Sequence, residues 1–162
     1  MRNYSDTFKS TLASVNATEA PIILLTLSHP ELKQDNVVTP IYVVNDNSDV
    51  VSNGHTFVAM PFRVSLPSDL ENTVPRATLA IDNIGRTLMY WIETSNGGAG
   101  ATVKFQQILR SNPNLIEWEI TMELFNIQAN TREISGELGY PNLFGKPAVS
   151  RTYRPSNAPG LF

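Results

Sequence analysis

Residues 40–69 read P-I-Y-V-V-N-D-N-S-D-V-V-S-N-G-H-T-F-V-A-M-P-F-R-V-S-L-P-S-D, and residues 75–83 read P-R-A-T-L-A-I-D-N. These two stretches decide the fold class. Ile41, Tyr42, Val43 and Val44 make a short β-branched and aromatic run. Pro40 bounds it on one side and the polar cluster at 45–49 on the other, which predicts a strand and then a turn. Asn53-Gly54 sits between Val50-Val51 and Phe57-Val58. Asn-Gly tolerates positive φ at both central positions, so it predicts a tight hairpin. Phe62, Val64 and Leu66 alternate with Arg63 and Ser65, and Pro67 closes that strand. Ala77, Leu79 and Ile81 alternate with Thr78, Ala80 and Asp82. About four strands joined by tight turns therefore fall in this region. None of them carries a pattern of catalytic residues.

The pattern continues on both sides. Tyr4, Phe8, Leu12 and Val15 recur at helical spacing, and Ser5 or Asp6 can cap the start. This predicts a helix at about 5–16 with one apolar face. With only Lys9 as a basic residue inside it, the segment is short for an amphipathic membrane helix. Residues 20–27 are continuously apolar apart from Thr26 and predict a buried strand that ends at His29-Pro30. Residues 31–39 are mostly polar and read as a loop or a ragged strand start. Ile84, Leu88, Trp91 and Ile92 predict a second helix at about 84–94, which Gly97-Gly98-Ala99-Gly100 ends as a flexible connector. Residues 103–109 and 116–121 alternate and form a hairpin around the turn at 110–114. Residues 125–129 continue after a bend, and 133–138 are the last strand, with Ile134, Gly136 and Leu138 on one side.

From Tyr140 the alternation stops. Pro141, Pro147, Pro155 and Pro159 fall in the last 22 residues, alongside Leu143, Phe144, Val149, Tyr153, Leu161 and Phe162. Proline disfavours regular structure, while the aromatics exceed what a solvated linker needs. The expected organisation is a β-rich domain with an N-terminal helix at 1–139 and an extended proline-rich C-terminal arm at 140–162. The fold class is mainly β and mostly antiparallel, a β-sandwich or split barrel with one or two short helices.

The 162 residues suffice for one domain with a sizeable core. With 41% apolar and 17% charged residues the chain is globular rather than disordered. The net charge is −3, which argues against general nucleic-acid binding. Residues 1–100 carry ten acids and six bases, whereas 101–162 carry five acids and six bases. Without cysteine there is no disulfide framework and no thiol chemistry. No apolar run approaches the roughly 20 residues of a membrane span. The N-terminus lacks a signal core, so a cytoplasmic protein, or one released by lysis, is expected.

Several constellations invite a chemical reading. His29 and His55 read as exposed turn histidines rather than zinc ligands, because no H-x-x-x-H pair accompanies them. Glu117, Glu119 and Glu123 form a carboxylate cluster, but a solvated strand face opposite Trp118 accounts for them more simply than a glycosidase pair. Asp46 and Asp49 with Asn45 and Asn47 lack the glycine and terminal glutamate of a calcium loop and read as turn residues. The glycines at 97–100 follow a helix, the wrong context for a phosphate loop. We therefore expect no enzyme, no catalytic residue, no metal and no cofactor.

The ordered set V-V-N-D-x-x-D-V, S-N-G-x-x-F-x-A-x-P-F, L-P-x-D, P-R-A-x-L-x-I-D-N and the closing P-G-L-F resembles an uncharacterised family of minor tail proteins of tailed bacteriophages and prophages. The resemblance covers roughly residues 12–162. It implies a structural virion protein of the tail tip or baseplate, akin to a distal tail protein, made in the host bacterial cytoplasm. It also implies a homo-oligomeric ring, a hexamer rather than a trimer. That ring would join the tail tube and tape-measure protein to a hub or fibre protein, with DNA passing through and no specific nucleic-acid or membrane binding. Lys146, Arg151, Tyr153, Arg154, Leu161 and Phe162 are the candidate assembly contacts, on the basis of the arm's basic charge and aromatics. The alternative is a carbohydrate- or receptor-binding β-sandwich module of the tail.

Overall fold

A computed structural model of the chain describes residues 4–15, 17, 19–31, 33–34, 37–65, 77–82, 92–93, 97–130 and 132–139. The helix α1 (Asp6–Ala13) comes first. The strands are β1 (Ile22–Ser28), β2 (Lys33–Gln34), β3 (Val37–Val38), β4 (Ile41–Val44), β5 (Val50–Ser52), β6 (His55–Ala59), β7 (Phe62–Ser65), β8 (Ala77–Asp82), β9 (Ala101–Ile108), β10 (Trp118–Ala129) and β11 (Glu133–Gly139). Nine of them form one mixed sheet in the order β5-β6-β4-β1-β9-β10-β11-β8-β7, and β2 and β3 make a separate small hairpin. That hairpin stands where a loop or ragged strand start was expected.

The sheet is not closed by a continuous ladder, yet its two ends are held together. β6 lies near one end and β7 at the other, and only Met60 and Pro61 separate them. Ala59 and Phe62 are three residue steps apart, a span of at most about 11 Å. Met60 N–H donates to the Val44 carbonyl (3.0 Å), and the Pro61 carbonyl accepts from Asp82 N–H (3.1 Å). One bent strand thus bonds to β4 with its first half and to β8 with its second. Pro61 sits at the bend, where no ladder donor is missed. Of the two expected architectures, this is a split barrel.

The interior confirms the curl. Phe62 on β7 and Phe105 on β9 have ring centroids 6.5 Å apart. Four strand spacings separate them in the order, roughly 19 Å in a flat sheet. Leu25, Leu27, Val43, Phe62, Leu79, Ile81, Val103, Phe105, Leu124, Ile134 and Leu138 all fall in one buried cluster. Burying each such side chain stabilises by about 1.5–3 kcal/mol. If β5 is omitted and β6–β7 is counted as one strand, seven members surround this core. An odd ring cannot alternate throughout, and β4·β6 is its parallel pair.

β1 packs on both faces, as its apolar run, interrupted only by Thr26, predicts. Leu25 and Leu27 point into the barrel. Leu24 points outward into a second cluster with Val44, Val50, Phe57 and Ile108. The β5–β6 hairpin covers that outer face, and its turn has Asn53 at φ 48° and Gly54 at φ 82°, as Asn-Gly predicts. The bend expected before Phe125 falls inside the 125–129 run, as a bulge between Phe125 and Gln128 with Asn126 at φ 50°.

Two expectations need correction. The first helix ends at Ala13, because Ser14 turns to extended geometry. Only its first turn packs, since Phe8 is buried while Leu12 and Val15 are exposed. The glycine run is a hydrogen-bonded turn rather than a loose connector: Gly97 N–H bonds to the Ile92 carbonyl and Ala101 N–H to the Gly98 carbonyl (both 3.1 Å). The second helix lies outside the described residues except for 92–93, which are helical. The arm at 140–162 also lies outside them.

Two glycines test this fold in different ways. A side chain at Gly54 would meet nothing within 4 Å, so its cost is backbone strain alone. Gly54→Val should cost about 1–3 kcal/mol. A Cβ at Gly136 would lie 2.8 Å from Leu124 Cδ1 and 3.2 Å from the Phe125 carbonyl oxygen. Gly136→Ala should also cost about 1–3 kcal/mol, here by overpacking. Urea unfolding checks both, and a curve coincident with the parent's would refute the corresponding assignment.

Candidate functional site

The candidate site lies between the β5–β6 hairpin and the outer wall of the barrel. The parallel ladder β4·β6 lasts only for Val43↔Val58 and Val44↔Ala59. Beyond it the hairpin lifts off β4 and is pinned at its tip. Ser52 Oγ donates to the Pro113 carbonyl (2.6 Å), and Asn53 N–H donates to Asn114 Oδ1 (2.8 Å). Beneath it, Phe57 and Val50 rest on Leu24, Val44 and Ile108. An open cleft of about 360 Å³ remains between hairpin and wall.

Register builds its floor. Thr26 stands opposite Tyr42 on one side and Lys104 on the other, so β4, β1 and β9 each give one residue to a single row. Gln106 pairs with Glu119 on β10 one row further along. Gln106 Nε2 donates to Glu119 Oε2 (3.2 Å), and Lys104 Nζ lies 3.9 Å from the same oxygen. Tyr42 of β4 meets His55 and Phe57 of the hairpin in an aromatic wall. His55 stacks on Tyr42 with centroids 4.6 Å apart and planes 17° apart, and Phe57 meets Tyr42 edge-on at 5.1 Å.

The turn that anchors the hairpin is itself anchored. Ser111 N–H donates to Glu19 Oε2 (3.0 Å). Arg110 donates to Asp46 Oδ2 through Nη2 (2.6 Å) and Nε (3.1 Å), and to the Ser48 carbonyl (3.3 Å). Asp49 Oδ1 accepts from Ala59 N–H (2.8 Å) at the foot of the hairpin. Asp46 and Asp49 are therefore turn residues with structural partners, as the sequence suggested. The Asn47 amide and then the Arg110 guanidinium hold the Asp46 carboxyl below the usual aspartate range.

His29 is not an exposed turn histidine. It is 4% exposed, its Nδ1 accepts from Glu31 N–H (3.1 Å), and its Nε2 donates to the Ala99 carbonyl (2.9 Å). It fastens the end of β1 to the glycine turn. His55 is exposed, as expected. Glu117 is not a solvated strand-face acid: its carboxylate accepts from Ser5 N–H (2.8 Å) and from the Ser5 hydroxyl, at the N-terminus of α1. A carboxylate there also meets the positive end of the helix dipole. Glu119 belongs to the cleft. No group of three or more His, Cys, Asp or Glu among the described residues could hold a metal ion. Lys146, Arg151, Tyr153, Arg154, Leu161 and Phe162 lie outside the described residues.

The cleft was not foreseen from the sequence. Thr26, the polar residue in an apolar run, and Tyr42, at the start of the next strand, were its visible signs.

A family model described as "Domain of unknown function (DUF1833)" matches residues 8–153. The chain belongs to this family. The DUF1833 match opens at Phe8 in α1 and takes in the whole described barrel, the hairpin and the cleft. It runs past Gly139 into the proline-rich segment. No curated protein matches the chain.

The Asp46–Arg110 bridge gives a pH prediction. A carboxyl whose folded pKa is lowered contributes stability above its unfolded pKa and loses it as pH falls through the folded value. Stability should therefore drop on acidification below the usual aspartate range. Asp46→Asn should be less stable than the parent near pH 7 and should lose less on acidification. Urea midpoints at pH 7 and pH 3 check this, and an unchanged difference between the two pH values would contradict it.

Proposed function

We propose that this DUF1833 protein is a structural, non-catalytic subunit of a phage tail tip, a distal-tail-like ring between the tail tube and tape-measure end and the hub. The observation that carries this reading is where the residues of the tail-protein resemblance fall in the fold. V-V-N-D-x-x-D-V supplies the end of β4 and the corner that carries Asp46 and Asp49. S-N-G-x-x-F-x-A-x-P-F supplies the hairpin turn and the bent strand that draws the two ends of the sheet together. Leu79 and Ile81, from P-R-A-x-L-x-I-D-N, lie in the barrel core. These are scaffold positions, and a subunit whose work is to hold a shape needs them.

In this reading the ring is a homohexamer built on heterologous contacts, as rotational rings require. The basic, aromatic C-terminal segment provides contacts to the neighbouring subunit through Lys146, Arg151, Tyr153, Arg154, Leu161 and Phe162. The tail tube, tape-measure and hub or fibre proteins are its further partners, and DNA passes through without specific binding. Among the described residues no helix is long and apolar enough to cross a membrane.

Immunogold electron microscopy of phage particles carrying this protein tests the proposal. Antibody against the chain should label the end of the tail distal to the head. The purified protein should have a solution mass six times its 17.9 kDa. Particles without label would sink the tail-tip reading. Label together with a monomeric mass would sink the ring.

A further inference from the structure

We propose that the cleft under the β5–β6 hairpin is a binding site for a neutral saccharide residue. The inference does not rest on the tail-tip reading, and neither depends on the other's success.

The shape is built in. The hairpin is held at its base by the Phe57 and Val50 seam and at its tip by Ser52 and Asn53, so the cleft does not need a ligand to form. A preformed site spends little binding energy on ordering. Its volume of about 360 Å³ accommodates one pyranose ring, and its open side lets a chain continue outward.

The lining selects the chemistry. One wall is aromatic, with His55 stacked on Tyr42. Tyr42 covers one face of the exposed His55 ring, and a pyranose, which presents a face of C–H groups, packs on the other. The floor offers donors and acceptors side by side: Thr26, Lys104, Gln106 and Glu119. Vicinal hydroxyls donate and accept at once and match such a row. Charge decides against ionic ligands. Lys104 lies 3.9 Å from Glu119, so the pair presents no net charge to a ligand. A phosphate would meet the Glu119 carboxylate, and a cationic ligand would meet Lys104.

Amide chemical-shift mapping on the full chain tests this. The probes are methyl β-D-glucopyranoside, methyl β-D-galactopyranoside, N-acetylglucosamine and N,N′-diacetylchitobiose, with sodium phosphate and arginine hydrochloride as ionic controls. At least one sugar should give saturable shifts centred on Thr26, Tyr42, His55, Lys104 and Gln106. The chitobiose arm separates a chain-binding site from a single-residue site, and either result supports the proposal. His55→Ala and Gln106→Ala should each weaken that binding about five-fold or more. No saturable shift with any sugar would overturn the proposal. So would sugar shifts centred elsewhere, or saturable cleft shifts with an ionic control alone. The map of the unsubstituted protein decides the matter even if a variant is unstable.

Discussion

The bend at Met60–Pro61 places a constraint on everything else in this molecule. A strand that bonds to β4 before the bend and to β8 after it fixes the distance between the two ends of a nine-stranded sheet. The sheet then has to curl, and the curl creates an inside. The residues that fill it come from seven different strands and meet only because the ends meet. Proline suits the corner for two reasons. Its φ is fixed, and it gives up a donor at a point where the chain leaves one partner for another. Its carbonyl remains available and takes the Asp82 amide. The parallel β4·β6 pair follows from the same geometry, since one strand running in one direction must face both neighbours.

Local patterns made much of this legible in the sequence. The Asn53-Gly54 turn, the alternation along β9 and β11 and the apolar run of β1 each depend on neighbours a few residues away. These formed as read. What escaped depends on partners far along the chain. His29 is buried because Ala99, seventy residues on, offers it a carbonyl. Glu117 is held at the N-terminus of α1 because Ser5, the helix cap, lies 112 residues before it. Read locally, a histidine before a proline and a glutamate beside a tryptophan are both surface residues. The bent strand was legible only as two separate strands, since nothing local shows that 55–59 and 62–65 have different partners. The cleft was hidden for the same reason. Tyr42, Thr26 and Lys104 form one row only when three strands are set in register.

The β5–β6 hairpin divides the outer wall into two regions of different character. Where it touches the barrel, both surfaces are apolar, with Phe57 and Val50 against Leu24, Val44 and Ile108. Where it stands away, the wall carries Thr26, Lys104 and Gln106. A polar wall there follows from solvation, because Lys104 sealed under a close-packed hairpin would carry a desolvation cost that a single partner 3.9 Å away would not offset. The cleft is thus a place where the hairpin cannot close, and the anchors at Ser52 and Asn53 keep it from swinging free.

β1 ties the barrel and the cleft into one problem of register. Leu25 and Leu27 face the interior, while Leu24 and Thr26 face the hairpin side. The strand alternates strictly, so a one-residue slip against β9 would exchange the two sets. Thr26 would enter the core with its hydroxyl, and Leu25 would replace it on the cleft floor. The buried hydroxyl and the exposed leucine would each cost on the order of 1–3 kcal/mol. Seven ladder partners, from Ile22↔Ile108 to Ser28↔Thr102, hold the native register. The arrangement that gives the barrel an apolar interior is therefore the one that gives the cleft its polar floor, and neither can change by a residue without the other.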